Sequence, residues 1–245
     1  MKILMITFVY NELKYLPHVV DYYKKNGCGV YIIDNYSNDG TYEWLIENKI
    51  PCHRVDTQEA FHVRILEDDL VATVHKLKPD WVIFGSADLY HITDGLLFQY
   101  IERIDSLGFN QLILPCISAI PITADELIFD VPLPRNHNNA LYYRPLIMIS
   151  KYGPGFFLDG DTLLINNPNP YNSNNGVTIN YGPCKPVEEQ EVKRLRTQKA
   201  WKNGMSAGYS VHYEKAKKIN WIYPKSMSFD LTTSPYYKYI LKIKE

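Results

Sequence analysis

The chain has 245 residues, of which 46% are hydrophobic, and a formal net charge of −1. That length can bury a sizeable core, as one α/β domain or one domain with an appendage, and the near-zero charge excludes a bulk electrostatic pull toward nucleic acid. No apolar run approaches the ~20 residues that span a bilayer, so no transmembrane segment is expected, although peripheral membrane contact stays open.

The first segment, Lys2 to Val9, is apolar and breaks at Asn11 and Glu12. It reads as a strand and not as a signal peptide. Leu13, Leu16, Val20 and Tyr23 recur at helical spacing, which predicts an amphipathic helix over 12–26. Gly29 to Ile33 is short and β-branched, as a buried strand is. Tyr42 to Asn48 reads as a short helix and Cys52 to Val55 as a short strand. Leu66, Leu70, Val74 and Leu77 predict a helix over 59–78, and Asp80 to Phe84 a further buried strand. Leu97, Ile101, Ile104 and Leu107 predict the next helix, after Asp94-Gly95. Strands alternating with helices imply a mainly parallel sheet with helices on both faces.

The second half changes character. Leu112 to Ile117 reads as a strand, and 121–145 as a long loop rich in proline and asparagine. Tyr142 to Ser150 and Phe156 to Ile165 read as strands, and Pro168 to Asn175 as a polar turn. A helix is predicted from Glu188 to Asn203, between Pro186 and Gly204. The tail, Tyr236 to Glu245, mixes aromatics with lysine, and no linker divides the chain. Cys28, Cys52, Cys116 and Cys184 are scattered without metal-pair spacing, which points to reduced thiols and a cytoplasmic setting. The 20 tyrosines suit sugar contact, since the ring stacks on C–H faces and the hydroxyl bonds; compositional bias explains them equally well.

Three strand ends carry polar side chains in sequence order. The first ends in Asn11-Glu12. The second runs into Asp34-Asn35-Tyr36-Ser37-Asn38-Asp39-Gly40-Thr41, and the third, Asp80 to Phe84, into Gly85-Ser86-Ala87-Asp88. Carboxyl ends of parallel strands are where open α/β sheets bind ligands. Each segment is also an ordinary turn or cap signal. Together, in this order and spacing, they resemble the family-2-like glycosyltransferases of the GT-A fold, in the subgroup whose metal motif reads Asp-Ala-Asp-Glu-Phe. The resemblance covers residues 1–105 and thins afterwards.

The resemblance implies a single GT-A domain over 1–245, with a nucleotide-sugar-binding half at 1–108 and an acceptor-binding half with C-terminal helices at 109–245. It implies a transferase that moves a sugar from a nucleotide-diphospho-sugar, a UDP-sugar favoured, to a hydroxyl of a carbohydrate or glycoconjugate, with inversion. Thr7, Val9, Asn11, Glu12, Asp34, Ser37, Arg64, Ser86 and Ala87 would then border the nucleotide. His91 and Lys185 would meet donor or acceptor. Asp88 would hold Mn2+ or Mg2+ to stabilise the departing diphosphate, with a late histidine, His212, returning to the metal. Ser86 stands where the subgroup has its first carboxylate and ligates a hard cation more weakly. The segment Asn180 to Glu189 resembles the subgroup's His-Tyr-x-x-Lys-Ser-x-Glu-Glu, with asparagine for histidine. Its helix is rich in lysine and arginine but interleaved with glutamate, so a solvated face is the plainer reading.

For the general base, Asp159 and Asp161 sit in an apolar setting that can raise a carboxyl pKa. The same residues flank Gly160 in a hairpin-turn pattern. Asp125, Glu126 and His137 are the rivals. Two other classes of function stay open. A nucleotidyltransferase would carry a glycine-rich loop after the first strand, which Thr7 to Glu12 lacks. A non-catalytic carbohydrate- or nucleotide-binding relative would fit the loss of the first metal carboxylate at Ser86.

Overall fold

β1 (Ile3–Val9) is buried on both faces, as a central parallel strand must be when helices cover each side. The chain is described by a computed structural model at residues 1–121, 127–130, 148–159, 162–173, 175–182 and 185–202. From β1 it continues through α1 (Leu16–Lys25), β2 (Gly29–Asp34), α2 (Thr41–Glu47), β3 (Cys52–Arg54), α3 (Val63–Leu77) and β4 (Trp81–Phe84). Then come β5 (Leu89–Thr93), α4 (Leu97–Ser106), β6 (Gln111–Ile113), β7 (Cys116–Pro121), β8 (Leu127–Asp130) and β9 (Ile149–Lys151). The rest is β10 (Phe157–Asp159), β11 (Thr162–Leu164), β12 (Pro170–Asn172), β13 (Gly176–Asn180) and α5 (Val187–Lys202).

Among the described residues the main sheet has the order β12-β6-β9-β4-β1-β2-β3. β1 is parallel to β2 and to β4, and β2 to β3; β9 runs antiparallel between β4 and β6. The chain therefore leaves β1 toward β2 and β3, then crosses back to place β4 on β1's other edge. That reversal is a topological switch point, and it opens a crevice beyond the carboxyl ends of β1 and β4.

Alternation along β1 sends Ile3, Met5 and Val9 to one face and Leu4 and Ile6 to the other. The first face packs on Leu16, Val19, Val20 and Tyr23 of α1 and Leu97, Ile101 and Ile104 of α4. The second packs on Leu66, Leu70 and Val74 of α3 and on Leu158 and Leu163 of the β10–β11 hairpin. Each such aliphatic side chain contributes about 1.5–3 kcal/mol of burial free energy. α1 begins where the Glu12 carbonyl accepts from Leu16 N at 2.8 Å, with Pro17 pre-set in the first turn.

The structure departs from the sequence reading where strands are short. The expected strand Leu112 to Ile117 is two strands in two sheets, β6 in the main sheet and β7 beside β13, split at Leu114-Pro115. Part of the expected loop at 121–145 is β8, paired antiparallel with β7. The residues directly after Asp88 form β5, and the polar stretch at 168–175 contains β12, parallel to β6. Phe156 to Ile165 is the β10–β11 hairpin.

Candidate functional site

Two loops are stitched together at the ends of β1 and β2. Asn11 N donates to Ser37 Oγ at 2.9 Å, and Asn11 Nδ2 to Asn38 Oδ1 at 2.9 Å. Glu12 N donates to Thr41 Oγ1 at 3.0 Å, and Leu13 N to Asp39 Oδ2 at 3.1 Å. Asn11 sits at φ 54°, a left-handed conformation that asparagine tolerates. Asn11, Ser37 and Asp39, read as nucleotide neighbours or turn residues, thus serve as the clamp that aims Glu12 into the crevice.

On the other side of the switch point, Asp88 ends the turn after β4. Ser86 Oγ donates to Asp88 Oδ1 at 2.5 Å. Residues after Asp88 form β5, which pairs with β13 so that Leu89 lies opposite Asn180. Tyr181 N then donates to the Asp88 carbonyl at 2.8 Å. Gly182 passes so close that a Cβ there would stand 3.2 Å from Asp88 Oδ2 and 2.9 Å from Asn180 Oδ1. This β5–β13 pairing delivers Lys185 to the site.

Lys185 Nζ lies 2.6 Å from Glu12 Oε1, 2.8 Å from Glu12 Oε2 and 3.1 Å from Asp88 Oδ2. The three side chains are 12–19% exposed. The ammonium also sits 4.9 Å from the ring centre of Tyr15, whose hydroxyl meets Glu189. Burial opposes the charge on Lys185, yet Asp88 and Glu12 outweigh it and hold its pKa above the ordinary lysine value. Burial also opposes the Asp88 carboxylate, but Lys185, Lys193 and the Ser86 hydroxyl hold its pKa below the usual value. For Glu12 burial wins over Lys185, and its pKa is raised. One ammonium thus faces two carboxylates, bonding both oxygens of Glu12 and one of Asp88.

The second cluster lies past β2 and β3. Asp34 is fully buried, and its Oδ2 accepts from Arg54 Nε at 2.8 Å. Ser37 N also points at its carboxylate, and Arg54 Nη2 donates to the Ser37 carbonyl at 2.8 Å. The guanidinium is sandwiched between the rings of Tyr36 and Tyr42, at 4.3 and 4.5 Å. Asp34, expected to border the nucleotide, lies beneath Arg54: a buried carboxylate needs a partner, and Arg54 supplies it. The sequence reading missed Arg54, although its alternation partner in a short strand beside Asp34 was a usable signal.

α5 packs against the loops that follow β1, β2 and β3. Arg196 lies 3.3 Å from the ring centre of Tyr10, donates through Nε to the Glu59 carbonyl at 3.1 Å, and bonds Asn35 Oδ1 through Nη2. Burial lowers its pKa to about 10. Lys193 approaches Phe61 at 5.7 Å. The expected solvated helix thus has a docked stripe, with Arg196, Thr197 and Ala200 buried.

Other expected site residues fall elsewhere. Thr7, Val9 and Ala87 have buried side chains, which leaves their backbone to border a ligand at the ends of β1 and β4. His91 is fully buried, accepts or donates at Nδ1 with Thr178 Oγ1 at 2.8 Å, and stacks edgewise on Tyr23; it is a packing residue, with no face for donor or acceptor. Arg64 pairs loosely with Glu67 and Asp68 on its own helix and lies over Phe157. Asp159 is exposed in the hairpin ladder opposite Thr162, as the turn reading expects. Asp161, His212, Asp125, Glu126 and His137 lie outside the described residues.

Among the described residues no group of three or more metal-ligating side chains converges. Glu12 and Asp88 do converge, on a cation, the Lys185 ammonium. Small hard cations are commonly held by one or two carboxylates together with substrate phosphates, so the pair fits such an ion when a diphosphate completes the shell. Glu12, Asp88 and the Ser86 hydroxyl are the residues that would hold it, and it would neutralise a departing diphosphate.

No protein-family model matches the chain, and no curated protein sequence matches it significantly. Among the described residues no helix is long and apolar enough to cross a membrane. Solved structures do match. S. aureus TarS superposes with a TM-score of 0.50 at 17% identity, over 87% of this chain and 42% of TarS. Its 1–349 fragment gives 0.48 at 18% identity, over 87% of this chain and 68% of the fragment. The same fragment in complex with UDP gives 0.46 at 16% identity, over 87% and 69%. The chain thus spans less than half the length of TarS, 42%. At such identity the likeness is one of architecture, and the architecture of this chain is the GT-A fold: a mostly parallel central sheet flanked by helices.

Proposed function

We propose that the protein is a glycosyltransferase that moves a sugar from a nucleotide-diphospho-sugar to a hydroxyl of a carbohydrate or glycoconjugate acceptor. The observation that carries this reading is the Glu12–Lys185–Asp88 cluster, placed at the topological switch point of a GT-A sheet. It combines carboxylates for a cation with an ammonium for a phosphate, beside a stacked Arg54 and the Arg196–Tyr10 pair. A UDP-sugar is the favoured donor; TarS, which shares the fold, has been solved with UDP. Inversion needs a carboxylate to take the acceptor proton, a role proposed for Asp159 or Asp161; replacing the true base by asparagine is expected to lower kcat about a hundredfold or more with donor affinity intact.

The direct test is a thermal-shift panel of UDP-, GDP- and TDP-sugars with and without Mn2+, followed by hydrolysis or transfer assays on the binder. A donor at 100 times its Kd stabilises by about 2.7 kcal/mol. Asp88→Ala should abolish both the shift and turnover while the fold survives. Absence of a shift with every nucleotide sugar, or near-native turnover in Asp88→Ala, would refute the assignment.

A further inference from the structure

Lys185 fills the position that the two carboxylates build. Its ammonium has three N–H donors, and three carboxylate oxygens lie at 2.6, 2.8 and 3.1 Å. It is not a loosely draped surface lysine. Its backbone N donates to the Gly182 carbonyl at 3.2 Å, its own carbonyl accepts from Gln190 Nε2 at 2.7 Å, and its side chain is 12% exposed. A divalent ion and the ammonium cannot share this position, because like charges at contact distance repel strongly in a partly desolvated site.

The charge count sets the order of events. With Lys185 in place, Glu12 and Asp88 lack one positive charge, with Lys193 close enough to bias both. Two carboxylates alone are a poor shell for a hard cation, which takes the rest of its oxygens from phosphate and water. A nucleoside diphosphate supplies those oxygens and offers the displaced ammonium a new acceptor of the same sign as the one it leaves.

We infer that Lys185 is the resident cation of this site, that a divalent ion enters only together with the donor diphosphate, and that the ammonium is then transferred from Glu12 and Asp88 to the diphosphate. This deepens the nucleotide-sugar reading and rests on it. No covalent bond is made or broken in the exchange; the two carboxylates pass from the ammonium to the divalent ion, and the ammonium takes the diphosphate in their place.

Equilibrium dialysis of Mn2+ against the full chain tests it, with UDP as the probe nucleotide. Wild-type protein alone should retain little Mn2+, and UDP should raise its Mn2+ affinity by about ten- to a hundredfold, a typical coupling between two ligands. By reciprocity Mn2+ should raise UDP affinity by the same factor. Lys185→Met, freed of the competing charge, should retain Mn2+ without UDP at least about tenfold more tightly than wild type, and should bind UDP more weakly when Mn2+ saturates, in the range of such couplings. If wild type alone takes up Mn2+ as tightly as Lys185→Met, or if UDP binds wild type without drawing in Mn2+, the exchange is wrong while the transferase reading stands. If UDP, GDP and TDP all fail to bind wild type in either condition, the nucleotide reading fails and takes the exchange with it. Should Lys185→Met not fold by circular dichroism, the wild-type arms decide alone, since they already require UDP for Mn2+ uptake.

Discussion

Arg54 covers Asp34: its Nε donates to Oδ2 at 2.8 Å, and the carboxylate beneath has no exposed surface. The pair belongs to two adjacent parallel strands, with Asp34 opposite Arg54 in register. Arg54 spreads the charge outward between Tyr36 and Tyr42, so the crevice meets a flat cation and two rings instead of a carboxylate.

Removing Arg54 should strand that charge. Arg54→Ala is expected to cost roughly 3 kcal/mol, as for one partner lost from a buried ion pair. Arg54→Lys should recover only part of it, since lysine lacks the planar fork that bonds Asp34 and stacks on tyrosine. Urea midpoints of the two variants check this. Equal stability of Arg54→Ala and wild type would mean that Asp34 finds water or another donor.

Gly182 leaves room for Asp88. The Cβ of Gly182→Ala would stand 3.2 Å from Asp88 Oδ2 and 2.9 Å from Asn180 Oδ1, whose oxygen accepts from Gly182 N at 2.8 Å. Overpacking of this kind costs about 1–3 kcal/mol. The larger effect is expected on UDP binding, because the turn also sets the reach of Lys185. A calorimetric titration with unchanged UDP affinity would separate the turn from the site.

Arg196 is the buried arginine of α5 and makes its deepest polar contacts. Arg196→Met keeps the stem but removes the bonds to Asn35 and the Glu59 carbonyl and the stack on Tyr10. The loss should be about 1–3 kcal/mol, felt locally as easier opening of the helix. Hydrogen exchange should therefore speed up in α5 while β1 and β4 keep their protection. Uniform acceleration across the chain would show that α5 does not open separately.

His91 makes stability depend on pH. Burial lowers its pKa from 6.5 to about 4. Between those values the unfolded chain binds the proton and the folded one does not. The contribution is therefore complete above pH 6.5 and is lost as pH falls toward 4, by about 1.4 kcal/mol per pH unit at the steepest. Asp88, whose pKa is lowered from 3.8, loses its contribution only below that value, so the two windows separate. His91→Gln should flatten the urea midpoint between pH 6.5 and 4. An unchanged slope in that variant would place the titration elsewhere.

Much of the first half was legible in the sequence. Helices such as α1, α3 and α4 carry several turns of 3.6-residue repeat, and β1, β2 and β4 are apolar runs buried on both faces. These signals are local, so they survive without tertiary context, and with them came the parallel sheet and the three polar strand ends. Strands of three residues such as β6, β9 and β12 hold too few positions to show a period. Only pairing with a distant partner defines them. The same reason hid the roles within the site. Asp34 and Glu12 look alike in sequence, because a sequence shows which groups bear charge but not which are covered. Register put Arg54 over Asp34. The β5–β13 ladder brought Lys185 against Glu12, 173 residues away along the chain. Sequence by itself determined the sheet and the carboxylates at its edge; the tertiary fold decided which of them is sealed by arginine and which pair holds an ammonium. Charge burial is a property of neighbours in space, and only the folded chain has those.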